Sequence, residues 1–160
     1  MNISNSLSSN PPPLYTPAQR ERRNRSRWTL VQGILAPLQF VVFLISAALL
    51  TRYLISGEGL QVAAASVVVK TLFLYAIMYT GALWEHDVFG QYLFAPAFFW
   101  EDVISMVVIA LHTLYLLLYL TGLGGTGWLI AVAVAAYITY VINAAQFLWK
   151  LRQARRQENS

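Results

Sequence analysis

The sequence predicts an all-α polytopic membrane protein, built as a bundle of four transmembrane helices. The 160 residues are 58% hydrophobic and only 11% charged, whereas a water-soluble domain carries about 25% charged residues. Four apolar runs are long enough to cross a bilayer, and most basic residues lie outside them. Too few charges remain to cover a soluble surface, so lipid must cover the apolar excess.

The four apolar runs each reach the length of about 20 residues that a helix needs to cross roughly 30 Å of hydrocarbon. Each run must be helical, because the bilayer interior offers no partner for unpaired backbone groups. Tryptophans stand near the ends of the runs, as they do in the aromatic belts of membrane proteins. The predicted spans are Trp28–Leu54, Leu60–Trp84, Phe98–Thr121 and Trp128–Trp149.

A chain of 160 residues is expected to hold one domain. Residues 1–15 are rich in Ser, Asn and Pro and are expected to form a disordered tail. The transmembrane domain is expected over residues 16–155, followed by a short tail over residues 156–160. The lack of cysteine excludes disulfides, thiolate metal sites and cysteine nucleophiles.

Two local patterns predict where helices begin and end. Thr16, Pro17 and Gln19 have the order of a capping box with proline at the first helical position, which predicts a short helix carrying the following arginines. Four of the six residues from Gly122 to Gly127 are glycine. They predict a tight turn rather than a phosphate-binding loop, because no strand precedes them and no P-loop lysine follows.

Basic residues cluster at the two ends of the chain. Five arginines precede the first span and four basic residues follow the last, whereas the first loop holds only Arg52 and the third loop none. The positive-inside rule therefore predicts that both termini and the second loop are cytoplasmic. Nucleic-acid binding is not expected, because each basic cluster adjoins an apolar run.

Acidic residues crowd around the second loop, which is expected over about residues 85–98 and whose intervening residues are apolar and aromatic. Carboxyl groups held close together in apolar surroundings hinder each other's ionisation, which can leave a protonated acid beside an ionised base. Two interpretations stay open: a catalytic acid–base cluster, or a solvated acidic patch on the membrane surface. The four residues, out of seven acidic residues in the chain, are Glu85, Asp87, Glu101 and Asp102.

Two ionisable residues fall deep inside predicted spans. His112 follows Glu101 by 11 residues, three helical turns plus about 20°, so both share a stripe with Ser105 that should face the bundle interior. Lys70 would cost about 2.5–3.5 kcal/mol in a span, so it is expected to meet a partner. At about 1.5 Å per residue, Lys70 lies about 22 Å along its helix from Glu85, and His112 lies about 16 Å along its helix from Glu101. Lys70 and His112 are therefore expected at similar depths, within reach of a direct or water-bridged contact. A histidine hydrogen-bonded to a neighbouring helix is the alternative.

Two functional classes fit the pattern poorly. A two-histidine haem site needs ligands at similar depth, but His86 is expected in the second loop and His112 near mid-membrane. A multidrug-type four-helix transporter needs a carboxylate within a span, whereas the acids here stand at span ends.

Several segments together resemble one known family. The most specific is Phe-Ala-Pro-Ala-Phe-Phe-Trp-Glu-Asp at residues 94–102. Over about residues 14–155 the chain resembles the bacteriochlorophyllide 3-vinyl hydratases of phototrophic bacteria, also called 2-vinyl bacteriochlorophyllide hydratases. The resemblance implies a hydro-lyase of bacteriochlorophyll synthesis in the bacterial inner (intracytoplasmic) membrane, which converts the C3-vinyl group of a chlorophyllide to a 1-hydroxyethyl group. The other similar segments are residues 28–40, 66–72, 84–91, 110–113 and 140–147.

That chemistry predicts roles for the members of the carboxyl cluster. Adding water to a vinyl arm needs a general acid, a base for the water and negative potential near the developing cation. We predict that Glu101 or Glu85 donates the proton, while Asp102 or Asp87 orients or deprotonates the water. His112 or His86 is expected to ligate the magnesium of the substrate or to shuttle a proton.

A flat apolar macrocycle is expected to lie against the aromatic residues of the second loop. Its propionate is expected to pair with an arginine of either terminal cluster. The predicted substrate-binding residues are His86, Lys70, Trp100, Phe98, Phe99 and Phe94, with Phe89 and Tyr92 as further ring contacts.

No cofactor and no protein-bound metal are expected. The predicted partners are chlorophyllide a or a related Mg-chlorin, membrane lipid and other enzymes of bacteriochlorophyll synthesis. Two alternatives stay open: a non-enzymatic pigment-binding or assembly protein, and a small proton-coupled transporter.

Overall fold

The computed structural model describes residues 12–159, and over this part of the chain its regular secondary structure is entirely helical. The all-α prediction is therefore confirmed. The elements are α1 (Pro17–Arg25), α2 (Arg27–Ser56), α3 (Leu60–Phe89), a 3-10 turn (Pro96–Phe98), α4 (Phe99–Thr121) and α5 (Gly125–Glu158).

Within residues 12–159, the four helices α2 to α5 are long and apolar enough to cross a membrane, as predicted. Helix α3 extends beyond its predicted span, Leu60–Trp84, because no residue between Trp84 and Gly90 ends it. Gly90 ends α3 in the left-handed conformation, with φ of 82° and its N–H bonded to the carbonyl of His86. Glu85, His86 and Asp87 therefore lie on the last turns of a helix, and the expectation that they belong to a loop is wrong.

Helix α1 begins as the sequence predicts and folds back onto the rest of the chain. The hydroxyl of Thr16 accepts from the N–H of Gln19, and the side chain of Gln19 accepts from the N–H of Thr16. Arg23 and Arg20 pair with Glu158 at the far end of α5, at 2.8 and 3.6 Å. These ion pairs bring the two ends of the described chain together.

The two expected tails are described only in part. Residues 1–11 and 160 lie outside the described residues. Tyr15 is buried, and its ring stacks on Phe89 with centroids 5.9 Å apart. Burial raises the pKa of the Tyr15 hydroxyl above its ordinary value, and the neighbouring Arg23 acts against this shift. Residues 156–158 belong to the last turn of α5.

The four long helices pack mainly in pairs, α2 against α3 and α4 against α5. Small polar groups cross between the pairs. The Ser46 hydroxyl of α2 lies 2.5 Å from the Tyr137 hydroxyl of α5, and Tyr115 of α4 donates to the carbonyl of Ala64 in α3 at 2.9 Å. Within the α2–α3 pair, the Ser46 hydroxyl also lies 2.7 Å from that of Ser66. Apolar surface drives no helix association in lipid, so such packing and hydrogen bonds hold the bundle together.

The glycines between α4 and α5 form the predicted tight turn. Gly122 ends α4 and Gly124 caps α5, with φ of 70° and 77°. A methyl group at Gly124 would stand 3.0 Å from the Cβ of Trp128, whereas one at Gly127 would meet nothing within 4 Å. Gly124 is thus needed for its backbone conformation and for space, and Gly127 for neither.

The change Gly124→Ala is expected to lower the free energy of unfolding by about 1–2 kcal/mol, because a side chain disfavours the left-handed conformation. Gly127→Ala, inside α5, should leave stability unchanged or raise it, since alanine favours helix over glycine. Unfolding in mixed dodecylmaltoside–SDS micelles measures both. Equal effects of the two variants would contradict this account of the turn.

Candidate functional site

Helices α1, α3, α4 and α5 meet at one end of the bundle, which we call the terminal end because both ends of the described chain lie there. Residues 90–95, the α3–α4 loop, cross this end between α3 and the 3-10 turn. Helix α4 then begins with Glu101 and Asp102 in its first turn. Acidic side chains are favoured there, since they face the positive end of the helix dipole.

Two carboxyl groups from different helices contact each other at the terminal end. Glu85 of α3 and Asp102 of α4 are 4% and 2% exposed, and their side chains lie within hydrogen-bonding reach. A hydrogen bond between two carboxyl groups requires a proton on one of them, because two carboxylates only accept. The contact between Glu85 and Asp102, the carboxyl pair, thus favours one protonated carboxyl group held beside one carboxylate.

The backbone of the α3–α4 loop covers the carboxyl pair. The N–H of Phe94 donates to Oδ2 of Asp102 at 2.9 Å, and the N–H of Ala95 points at Oε2 of Glu85 at 3.4 Å. Phe94 has a φ of 60°, which is uncommon for a residue with a bulky side chain and costs of order 1–3 kcal/mol. The hydrogen bonds to the carboxyl pair offset this strain.

Glu101 is buried beside the carboxyl pair and has a different partner. Its Oε2 lies 3.1 Å from the ammonium of Lys150 on α5. Its backbone carbonyl accepts from Ser105 at 2.8 Å and from Asn143 at 2.9 Å, and Ser105 also donates to Asn143 at 3.0 Å. The site thus combines a pair of carboxyl groups in contact with each other and a third carboxyl group in a salt bridge with Lys150.

Asp87 does not join the other three carboxyl groups. Its side chain is exposed, and its Oδ2 accepts from the hydroxyl of Ser26 at 2.7 Å. Ser26 caps α2, so this bond ties the end of α3 to the junction of α1 and α2. His86 is also exposed, and its ring stacks on Tyr92 with centroids 4.3 Å apart.

The aromatic residues divide into a buried and an exposed group. Phe98 is 1% exposed and packs against Trp84, Phe89 and Phe147, with centroids 5.6 to 5.9 Å apart. Phe94, Phe99 and Trp100 are exposed and contact one another in series, at 5.9 and 5.4 Å. We call these three the aromatic shelf; Phe98 instead supports the site from behind.

A cleft of about 360 Å³ is lined by Lys150, the salt-bridge partner of Glu101, and we call it the Lys150 cleft. Its walls are apolar on most sides, and Lys150 is the single charged residue that lines it within residues 12–159. The other lining residues include Pro12, Leu14, Phe89, Pro96 and Ala97.

Lys150 was not among the sequence-predicted site residues, because it was assigned to the basic flank of the last span. One signal could have found it. Asn143, Gln146 and Lys150 are spaced at i, i+3 and i+7, which places three polar side chains on one face of an otherwise apolar helix. The loop amides of Phe94 and Ala95 carried no such signal.

Lys70 and His112 lie within the bundle, away from the carboxyl groups. Both are 0% exposed. The Lys70 ammonium stands 3.6 Å from the centre of the Tyr140 ring, and Nδ1 of His112 donates to the carbonyl of Val108 at 2.8 Å. His112 is three turns beyond Glu101 on the same helix, about 16 Å along its axis.

Among residues 12–159, no three His, Asp or Glu side chains converge as ligands of a metal ion would. The carboxyl groups of the site, which lie at the same end of the bundle as exposed aromatic rings, can perform acid–base chemistry.

Comparison with known proteins identifies related chains. The sequence model of a family described as 2-vinyl bacteriochlorophyllide hydratase matches residues 15–153. A 2-vinyl bacteriochlorophyllide hydratase of Cereibacter sphaeroides is 65% identical over 142 residues, which cover 89% of this chain and 88% of the relative. One of Rhodobacter capsulatus is 60% identical over 147 residues, 92% of this chain and 85% of the relative. No solved structure matches the chain.

The contact between Asp102 and the α3–α4 loop can be tested without an activity assay. Asp102→Ala removes the acceptor of the Phe94 amide, and a hydrogen bond to a charged group contributes about 1.5–3 kcal/mol. We expect amide hydrogen exchange in residues 91–95 to become at least about tenfold faster, since local opening costs that much less. Mass spectrometry of the protein in detergent measures the exchange.

Asp87→Ala is the matched control, because it removes an acidic side chain of the same end that bonds Ser26 instead of the loop. Exchange in residues 91–95 should stay unchanged in this variant. Loop protection that survives Asp102→Ala would contradict the assigned contact.

Proposed function

Because the chain belongs to the 2-vinyl bacteriochlorophyllide hydratase family, we propose that it hydrates the C3-vinyl group of a chlorophyllide or bacteriochlorophyllide to a 1-hydroxyethyl group. It is a hydro-lyase of bacteriochlorophyll biosynthesis, and its four long apolar helices make it a membrane protein. The observation that best supports the proposed mechanism is the buried carboxyl pair, which brings a proton to apolar surroundings.

The reaction needs one proton transfer to carbon and one from water. A proton adds to the terminal CH₂ carbon of the vinyl group and turns it into a methyl group. The positive charge then develops on the carbon bonded to the macrocycle, whose conjugated system spreads it. The oxygen of water attacks that carbon, and a base takes the second proton, so the product contains one added water.

The contacts of the three buried carboxyl groups favour different roles for them. The carboxyl pair is the proposed general acid. The proton that Glu85 and Asp102 hold between them goes to the vinyl carbon, and the pair takes up a proton again at the end of the reaction. Glu101 is the proposed base for water, because its salt bridge with Lys150 favours the ionised form. Its negative charge also stabilises the developing cation. Asp87 is engaged with Ser26, which favours a structural role for it.

The macrocycle is proposed to lie against the aromatic shelf, where exposed rings offer flat apolar contact. His86 is the proposed ligand of the substrate's magnesium, because it is exposed at the same end while His112 is enclosed by helices. Lys70 is enclosed in the same way, so we assign Lys70 and His112 to the support of the bundle.

We propose that the protein lies in the bacterial inner membrane and its intracytoplasmic folds, with both termini in the cytoplasm. The basic residues of α1 and of the end of α5 stand together at the terminal end, and such clusters stay on the cytoplasmic side. The carboxyl groups lie at this end too. The substrate would then react near the cytoplasmic surface, where water can reach it.

The direct test is to incubate membranes that contain the protein with chlorophyllide a and to analyse the pigment by mass spectrometry. We expect a pigment heavier by one water, with a 1-hydroxyethyl group in place of the vinyl group. Membranes without the protein are the control. Pigment binding without any hydrated product would overturn the enzymatic proposal and favour a pigment carrier.

The same assay separates the proposed roles. Glu85→Gln and Glu101→Gln keep the shape of the side chain but remove its acid or base, and we expect each to lower kcat by about 10²–10⁴-fold. Glu58→Gln is the matched control, since Glu58 is an exposed acid at the opposite end, between α2 and α3. Full activity of both site variants would rule out the acid–base assignment.

The orientation predicts where reporter fusions become active. Fusions at Ser56 and Gly125, which border the turns at the end opposite to the terminal end, should report a periplasmic location. A fusion at Gln91, in the α3–α4 loop, should report the cytoplasm. Alkaline phosphatase and green fluorescent protein fusions measure this, and a periplasmic Gln91 would reverse the orientation.

A further inference from the structure

The Lys150 cleft combines a positive charge with apolar walls. The Lys150 side chain is 26% exposed and lines the cleft together with apolar residues such as Phe89 and Pro96. Its volume of about 360 Å³ lies at the small end of ligand sites, which span roughly 300–1,000 Å³. A cleft of this size takes one arm or edge of a large flat ligand rather than the whole of it.

Lys150 has donor capacity beyond its salt bridge. An ammonium group carries three N–H donors, and Glu101 is its one hydrogen-bonding partner among residues 12–159. A second acceptor can therefore approach Lys150 without displacing Glu101. Because Glu101 already occupies one side of Lys150, an entering anionic group must be small. The rest of the entering molecule must be apolar to contact the apolar walls of the cleft.

The arginines at the terminal end are less suitable for such an anion. Arg20 and Arg23 pair with Glu158, and Arg25 pairs with Glu21 at 2.7 Å. None of the chain's arginines lines the Lys150 cleft. Lys150, rather than an arginine of the terminal clusters, is the cation next to both the apolar walls and the carboxyl groups.

We propose that Lys150 binds the free carboxylate arm of the pigment and thereby selects free-acid pigments over their esters. This inference rests on the proposed function, since it assigns a residue to the recognition of the same substrate. An ester has no negative charge and cannot form a charge-assisted hydrogen bond with the ammonium. The bound carboxylate then anchors the pigment, and the edge of the macrocycle is placed beside Glu101 and Asp102.

The first experiment needs no variant. The full-length protein in detergent is given chlorophyllide a or its propionate methyl ester, and kcat/KM for hydration is measured for each. We expect the free acid to be preferred at least tenfold, mainly through a lower KM. Equal kcat/KM values for acid and ester would overturn the role of Lys150 while leaving the proposed function intact, whereas hydration of neither pigment would refute the proposed function itself.

Variants then identify the residue that recognises the acid. Lys150→Met should remove the preference, because KM for the free acid rises to that for the ester. Lys150→Arg keeps the charge and should retain most of the preference. Arg152→Met is the matched control, since Arg152 is exposed on the same helix and does not line the cleft.

Binding extends the test to variants that lose activity. The fluorescence of the pigment is titrated to give Kd for acid and ester, and the folded state is checked by the thermal unfolding transition. We expect the ratio of Kd for the ester to Kd for the acid to be near one in folded Lys150→Met and to be unchanged in Arg152→Met. A ratio that persists without Lys150, or that disappears without Arg152, would overturn it.

Discussion

The contact between the buried carboxyl groups of Glu85 and Asp102 is the interaction on which the terminal end depends. A buried carboxylate without a partner is costly in apolar surroundings, and two carboxylates in contact would repel each other. One proton turns this repulsion into a hydrogen bond that joins α3 to α4. Oxygens of the same two carboxyl groups also accept from the amides of Phe94 and Ala95, so the pair holds the α3–α4 loop in its strained course. A group arranged in this way is stable in the structure and can also release a proton.

Glu101 lies next to Asp102 on the same helix, yet its surroundings differ because the two side chains point in different directions. Asp102 faces α3 and the loop, whereas Glu101 faces α5 and receives the ammonium of Lys150. Environment therefore separates an acid from a base among chemically similar groups, which is a general way to obtain both at neutral pH. The network of Ser105 and Asn143 fixes the backbone of Glu101, so the distance between α4 and α5 at this point is held by hydrogen bonds.

The prediction of the second loop shows where sequence patterns lose precision. The apolar run ends at Trp84, and charged residues follow, which suggested a loop. Residues 85–89 nevertheless continue α3, because no proline or glycine follows Trp84 until Gly90, which ends the helix in the left-handed conformation. This extension decides the site, since it places Glu85 one helical turn before the helix end, opposite Asp102. Asp87, two residues later, points instead to Ser26.

The sequence by itself determined the fold class, the four spans, the capping box at Thr16 and the turn at Gly122, because each depends on local composition or spacing. It also identified the family, whose most specific run includes the acidic start of α4. Only the tertiary structure decided which carboxyl groups meet, that Lys150 joins them and that Phe98 is buried while Phe99 and Trp100 are exposed. These are contacts between helices or directions around a helix, and they depend on how the helices pack, which no local pattern of a single chain encodes.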